Sequence, residues 1–74
     1  MHKRIDCIGL FCPLPVLKAR DAMREILPGQ ALEVTSDDPA SEADMRRWSA
    51  RTGHEILECE RHGPIFRFVL RKTR

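Results

Sequence analysis

A chain of 74 residues with 42% hydrophobic and 32% charged side chains is globular rather than disordered, and too short for more than one core, which predicts a single domain over residues 1–74. No apolar run approaches the ~18 residues of a helical membrane span. The formal charge is only +2, with bases scattered apart from a modest group at Arg67, Arg71, Lys72 and Arg74. No continuous basic stripe for a nucleic acid is therefore expected.

Residues 3–8 alternate Ile5 and Cys7 against Arg4 and Asp6, the period of a strand with one buried face, and Gly9 breaks it. From residue 13 to 27, Val16, Ala19, Met23, Ile26 and Leu27 recur at helical spacing, with Lys18, Arg20, Asp21, Arg24 and Glu25 on the wet side. Pro13 and Pro15 suit a first turn, whose N–H groups have no intrahelical partner to lose. Pro28-Gly29 ends the helix.

Residues 31–36 place Leu32 and Val34 opposite Glu33 and Thr35, a second strand, and Asp37-Asp38-Pro39 turns out of it. Residues 39–52 read as a second helix with Ala40, Met45 and Trp48 as core contacts and Gly53 as left-handed terminator. A closing hairpin follows. Residues 55–60 set Leu57 and Cys59 inward, residues 65–71 set Phe66, Phe68 and Leu70 inward, and His62-Gly63-Pro64 turns between them. The order βαβαββ predicts a two-layer α/β (α+β) sandwich, with two helices on one face of a four-stranded mixed sheet whose first two strands are parallel.

Three cysteines and no apolar leader point to reduced thiols in a cytoplasmic protein. Cys12 precedes Pro13, which makes it the predicted N-cap of the first helix, with its sulfur towards the positive helix end. That placement predicts a lowered thiol pKa and a reactive thiolate, with the Leu14 N–H as nearest donor. Plain burial is the competing reading for Cys12, and the better one for Cys7 and Cys59, which alternate in phase with core residues.

The metal-ligating types Cys7, Cys12, Cys59, His2, His54 and His62 lack zinc-type spacing, so no metal is expected. Asp37 and Asp38 precede Pro39, where an aspartate caps a helix or makes an Asx turn; the cap is the expectation taken here.

The run Asp6-Cys7-Ile8-Gly9-Leu10-Phe11-Cys12-Pro13-Leu14-Pro15 resembles the signature of the TusA-type (SirA-like, YedF-like) sulfur carriers, with its Cys-Pro-x-Pro core. The likeness continues through Pro28-Gly29, Asp37-Asp38-Pro39-Ala40, Gly53-His54-Glu55 and residues 66–72. The resemblance implies the βαβαββ sandwich and a persulfide on Cys12. It also implies a cysteine desulfurase or related persulfide donor, a downstream acceptor protein, and no metal or organic cofactor. Gly9, Phe11, Pro13, Leu14 and Pro15 would shape the site. In one branch of the family the sulfur reaches tRNA wobble uridine; other branches resemble thiosulfate-use, sulfur-oxidation or cofactor-assembly components. Phe11 and Leu14 stand where the tRNA-thiolating branch tends to carry Arg and Glu, and Cys7 is the only nearby resolving thiol. A monomer with no direct nucleic-acid or membrane contact is expected. Two other classes compete: an RNA-binding module, against which the few aromatics weigh, and a redox regulator in which Cys12 is oxidised rather than sulfurated.

Overall fold

The computed structural model describes residues 2–74. Its elements follow the predicted order: β1 (His2–Cys7), α1 (Leu14–Met23), β2 (Ala31–Ser36), α2 (Ser41–Thr52), β3 (Glu55–His62) and β4 (Ile65–Arg71). The four strands lie in the order β1-β2-β4-β3, with β1 parallel to β2 and the other pairs antiparallel.

Both helices cover the same face of this sheet. Ala19, Ala22 and Met23 of α1, Met45 and Trp48 of α2, and Cys7, Leu32, Val34, Phe66, Phe68 and Leu70 of the strands form one buried cluster. Full burial of a side chain the size of Leu, Met or Phe is worth about 1.5–3 kcal/mol, so Leu32, Met45, Phe68 and Leu70 dominate cohesion. The opposite face carries charge instead. Glu33 sits between Arg4 at 3.0 Å and Arg67 at 2.9 Å, Arg67 also pairs with Glu58 and Glu60, and Arg71 pairs with Glu55.

Several boundaries move from the predicted ones, each for a local reason. β1 stops at Cys7, and Ile8 lies exposed in the turn beyond it. The first helix ends at Met23, not residue 27. Arg24, Glu25 and Ile26 continue in tighter i to i−3 bonds, which still bury Ile26 but leave Leu27 68% exposed. Pro28 disfavours helical backbone at Leu27, and the Gln30 side chain accepts the Leu27 N–H at 2.9 Å.

α2 begins at Ser41, so Ala40 is exposed rather than a core contact. Gly53 ends it at φ 86°, donating its N–H to the Ser49 carbonyl at 2.8 Å, as its place after the last helical residue required. In β3 a register shift between Ile56 and Glu58 inserts Leu57 as an extra residue. Leu57 is therefore 49% exposed, and Ile56, with Cys59, packs on the core in its place.

Candidate functional site

Parallel pairing sets Cys7 beside Ser36, so the turns leaving β1 and β2 emerge side by side at the same edge of the sandwich. The first, residues 8–13, ends in the Cys12-Pro13 that opens the Cys-Pro-x-Pro run; the second carries Asp37 and Asp38. Two carboxylates of the second turn hold the first. Asp37 Oδ1 accepts the Gly9 N–H at 2.9 Å, and Asp38 Oδ2 accepts the Cys12 N–H at 2.6 Å. Gly9 stands at φ 84°, where a side chain would be strained, and Leu10 donates to the Cys7 carbonyl at 3.1 Å to close the turn.

Asp38 is itself braced. It is only 7% exposed, its N–H donates to Ser36 Oγ at 3.2 Å, its Oδ1 accepts the Ala40 N–H at 3.2 Å, and its carbonyl accepts the buried Ser41 hydroxyl at 2.7 Å. The Ala40 bond is an Asx turn; Ala40 is the N-cap of α2 and has no side-chain cap bond, so the expected Asp cap is corrected to a loop tether.

The predicted capping role of Cys12 is also corrected. Pro13 is the N-cap of α1 and makes no side-chain cap bond, and the Leu14 N–H donates to the Phe11 carbonyl at 2.8 Å rather than to the sulfur. The Cys12–Pro13 peptide is cis. Cys12 is exposed, in a shallow depression of about 180 Å³ lined by Pro13, Val16, Asp44, Arg47 and Trp48.

Its thiol titrates above the usual range, opposite to the expected lowering. The largest cause is its hydrogen bond to the Asp44 carboxylate, followed by desolvation and by the negative charges of Asp44 and Asp38; Arg47 offsets part of this. Arg47 also pairs with Asp44 at 3.2 Å. The thiol at this site thus faces an acid–guanidinium pair.

The other predicted site residues divide. Phe11 is 72% exposed and Leu14 is exposed too, flanking Cys12-Pro13 along the chain, and Ile8 and Leu17 are the next exposed apolar residues on either side in sequence. Pro15 is fully buried and belongs to the core. Cys7 is 1% exposed and burial pushes its thiol up; Cys59 is half-buried against the core. Among the described residues no group of three or more His, Cys, Asp or Glu side chains is placed to hold a metal ion. Trp48, Phe66 and Phe68 are buried, leaving Phe11 as the one exposed aromatic ring among the described residues.

Sequence reasoning missed Asp38 as the anchor of the Cys12 loop and Asp44 and Arg47 as its neighbours. For Asp38 the signal was present, because parallel β1 and β2 must bring their following turns together.

Comparison with known proteins now bears on this geometry. The profile of the family described as Sulfurtransferase TusA matches residues 3–72. The chain belongs to the TusA family. A protein of Archaeoglobus fulgidus, provisionally named as a sulfur carrier, is 43% identical over 70 residues, 93% of this chain and 91% of its own length. The sulfur carrier protein TusA of Allochromatium vinosum is 35% identical over 71 residues, 96% of this chain and 93% of its own. The crystal structure of a SirA-like protein from Desulfitobacterium hafniense superposes with a TM-score of 0.82 over the whole of both chains, at 24% identity, and supports the fold. As a member of the TusA family the chain is a sulfur carrier, with a role in sulfur transfer. No helix among the described residues is long and apolar enough to cross a membrane.

Proposed function

We propose that Cys12 is the sulfur-bearing residue: it takes sulfur from a persulfide donor such as a cysteine desulfurase and passes it to an acceptor protein in the cytoplasm, residues 1–74 forming a single carrier domain. The observation that carries this reading is the exposure of Cys12 on a loop clamped by Asp38, where Cys7 and Cys59 lie against the core.

Loading is a thiol exchange. The Cys12 sulfur attacks the outer sulfur of the donor persulfide, the donor's S–S bond breaks, and the donor leaves as a thiolate that regains a proton, giving Cys12-S-SH with no net oxidation. Asp44, which lines the same depression, is the nearby carboxylate that can accept the thiol proton as the attack begins. Asp44 also makes chemical sense of a carrier. A thiol held above the usual range is a stronger nucleophile once deprotonated and a poorer leaving group, so sulfur stays on Cys12 until an acceptor thiolate attacks the terminal atom. The exposed apolar residues Ile8, Phe11, Leu14 and Leu17 suit a protein surface that shields the persulfide from water during transfer.

Incubation with a cysteine desulfurase and cysteine, followed by intact mass, tests this reading. The expected product carries the mass of one added sulfur and loses it on treatment with a reductant. Addition of oxygen instead, with no sulfur, would make the protein a redox regulator and refute the proposal.

A further inference from the structure

The depression at Cys12 adjoins a larger cavity, with which it shares Trp48 and Arg51. Asp44, Arg47, Trp48 and Arg51 lie on one face of α2, at i, i+3, i+4 and i+7, and line the Cys12 depression. Trp48 and Arg51 also line a second cavity of about 340 Å³, walled by Arg20 of α1 and Arg24 just past its end and closed by Lys72 and Arg74 beyond β4. The two share an indole and a guanidinium and lie end to end along the same face of α2; the pair is termed the trough. On the α1 side Val16 flanks its sulfur end and Arg20 and Arg24 its far end. From Asp44 to Arg51 the axial distance is about 10 Å at the helical rise.

The far end is strongly cationic. Among the described residues no aspartate or glutamate lines it, against five Lys and Arg side chains. Its field is visible on His54, which lines it too: burial first, then the charges of Lys72 and Arg74, hold the imidazole below its usual range. Convergent cations over a partly apolar floor, in a cavity within the ~300–1,000 Å³ typical of small-molecule sites, suit a small organic anion better than a flat protein surface. None of Ile8, Phe11, Leu14 or Leu17 lines the trough, so these exposed apolar residues stay free for an acceptor protein.

We propose that the trough binds a low-molecular-weight persulfide, R-S-SH, whose phosphate or carboxylate head sits among Arg24, Arg51, Lys72 and Arg74 while its sulfur reaches Cys12 at the other end. This rests on the reading of Cys12 as the sulfur-bearing residue. The step balances as R-S-SH plus Cys12-SH giving R-SH plus Cys12-S-SH. The Cys12–sulfur bond forms, the S–S bond to R breaks, and the Cys12 proton ends on the departing R-S⁻.

The test measures Cys12 loading rates from glutathione persulfide (carboxylate head), coenzyme A persulfide (phosphate head) and uncharged 2-hydroxyethyl persulfide. S-methylglutathione and S-methyl-coenzyme A, which cannot react, are titrated alongside against the fluorescence of Trp48, the chain's single tryptophan. One or both anionic persulfides are expected to load about tenfold or more faster than the neutral one at low salt, the scale of electrostatic enrichment in a charged cleft. The preferred head also identifies the ligand source. Arg24→Gln combined with Arg74→Gln, or about 0.5 M salt, should collapse that ratio towards one. Arg4→Gln combined with Arg61→Gln, which removes the same charge away from the trough, should leave it in place. Equal loading from charged and neutral persulfides, or a ratio indifferent to Arg24 and Arg74, overturns the trough proposal and leaves the Cys12 reading standing. Failure of all three to load Cys12 while a cysteine desulfurase still loads it likewise overturns the trough proposal alone; failure with the desulfurase as well overturns both.

Discussion

Replacing Asp38 by alanine removes the group that ties the Cys12 loop to the start of α2. In the folded protein its carboxylate accepts the Cys12 N–H at 2.6 Å and the Ala40 N–H at 3.2 Å, and the side chain is almost wholly buried. A hydrogen bond to a charged group nets about 1.5–3 kcal/mol, with the longer bond at or below the bottom of that range. Because Cys12 is exposed, its freed N–H regains water, which keeps the expected total near 2–3 kcal/mol. Chains of 74 residues are stable by roughly 4–11 kcal/mol, so this is a large fraction, equivalent to a fall in melting temperature of roughly 10–20 °C. Asp38→Asn keeps one acceptor oxygen and should lose about half as much. Circular-dichroism melts give the stability, and amide exchange at Cys12 reports the loop, which should lose protection in the alanine variant. An Asp38→Ala protein melting within about 3 °C of the parent, with the Cys12 amide still protected, would show that the loop is held by something else.

Asp44→Asn removes the main cause of the raised Cys12 thiol pKa, so more thiolate is present at neutral pH and iodoacetamide should alkylate Cys12 faster; Arg47→Gln should act in the opposite sense. Phe11→Ser and Leu14→Ser remove exposed side chains and should change stability by no more than about 0.5 kcal/mol while slowing transfer with a protein partner. Large destabilisation with normal transfer would place them in the core. Stability should also fall with acid in two stages, read as melts against pH. His54 titrates below its usual 6.5, and its Nδ1 accepts the Thr73 N–H at 3.2 Å, so the unfolded chain binds the proton first and stability declines as pH drops from 6.5 through the lowered value. Glu33, held below the usual 4.5 by its hydrogen bond to Arg67, contributes stability above 4.5 that is lost as pH falls through its own lowered value. His54→Asn should flatten the first stage and Glu33→Gln the second.

Much of this architecture was legible because one buried face imposes a period. Ala19, Met23 and Ile26 at helical spacing and Phe66, Phe68 and Leu70 in alternation all point into the core, as their pattern required. Leu57 was misread because a bulge adds one residue to β3, and alternation carries no warning of it. The exposure of Cys12 followed from its place in a turn between strand and helix. Its electrostatics did not, because the groups that dominate them come from α2 and the β2–α2 turn, distant in sequence, while a capping argument counts only the local helix end. Asp38 differs: its partner Ala40 is local, and its more consequential partner Cys12 lies in the neighbouring turn that the parallel pairing of β1 and β2 brings beside it.

The central claim, that Cys12 carries the transferable sulfur, is tested most directly by intact mass and peptide mapping of single-cysteine substitutions after exposure to a persulfide donor. Cys7→Ser and Cys59→Ser, which alter buried and half-buried packing positions, should still gain one reductant-labile sulfur mapped to the Cys12 peptide. Cys12→Ser should gain none. A Cys12→Ser protein that loads and delivers sulfur, with Cys7→Ser failing to do so, would contradict the account and require β1 to open and expose the strand cysteine.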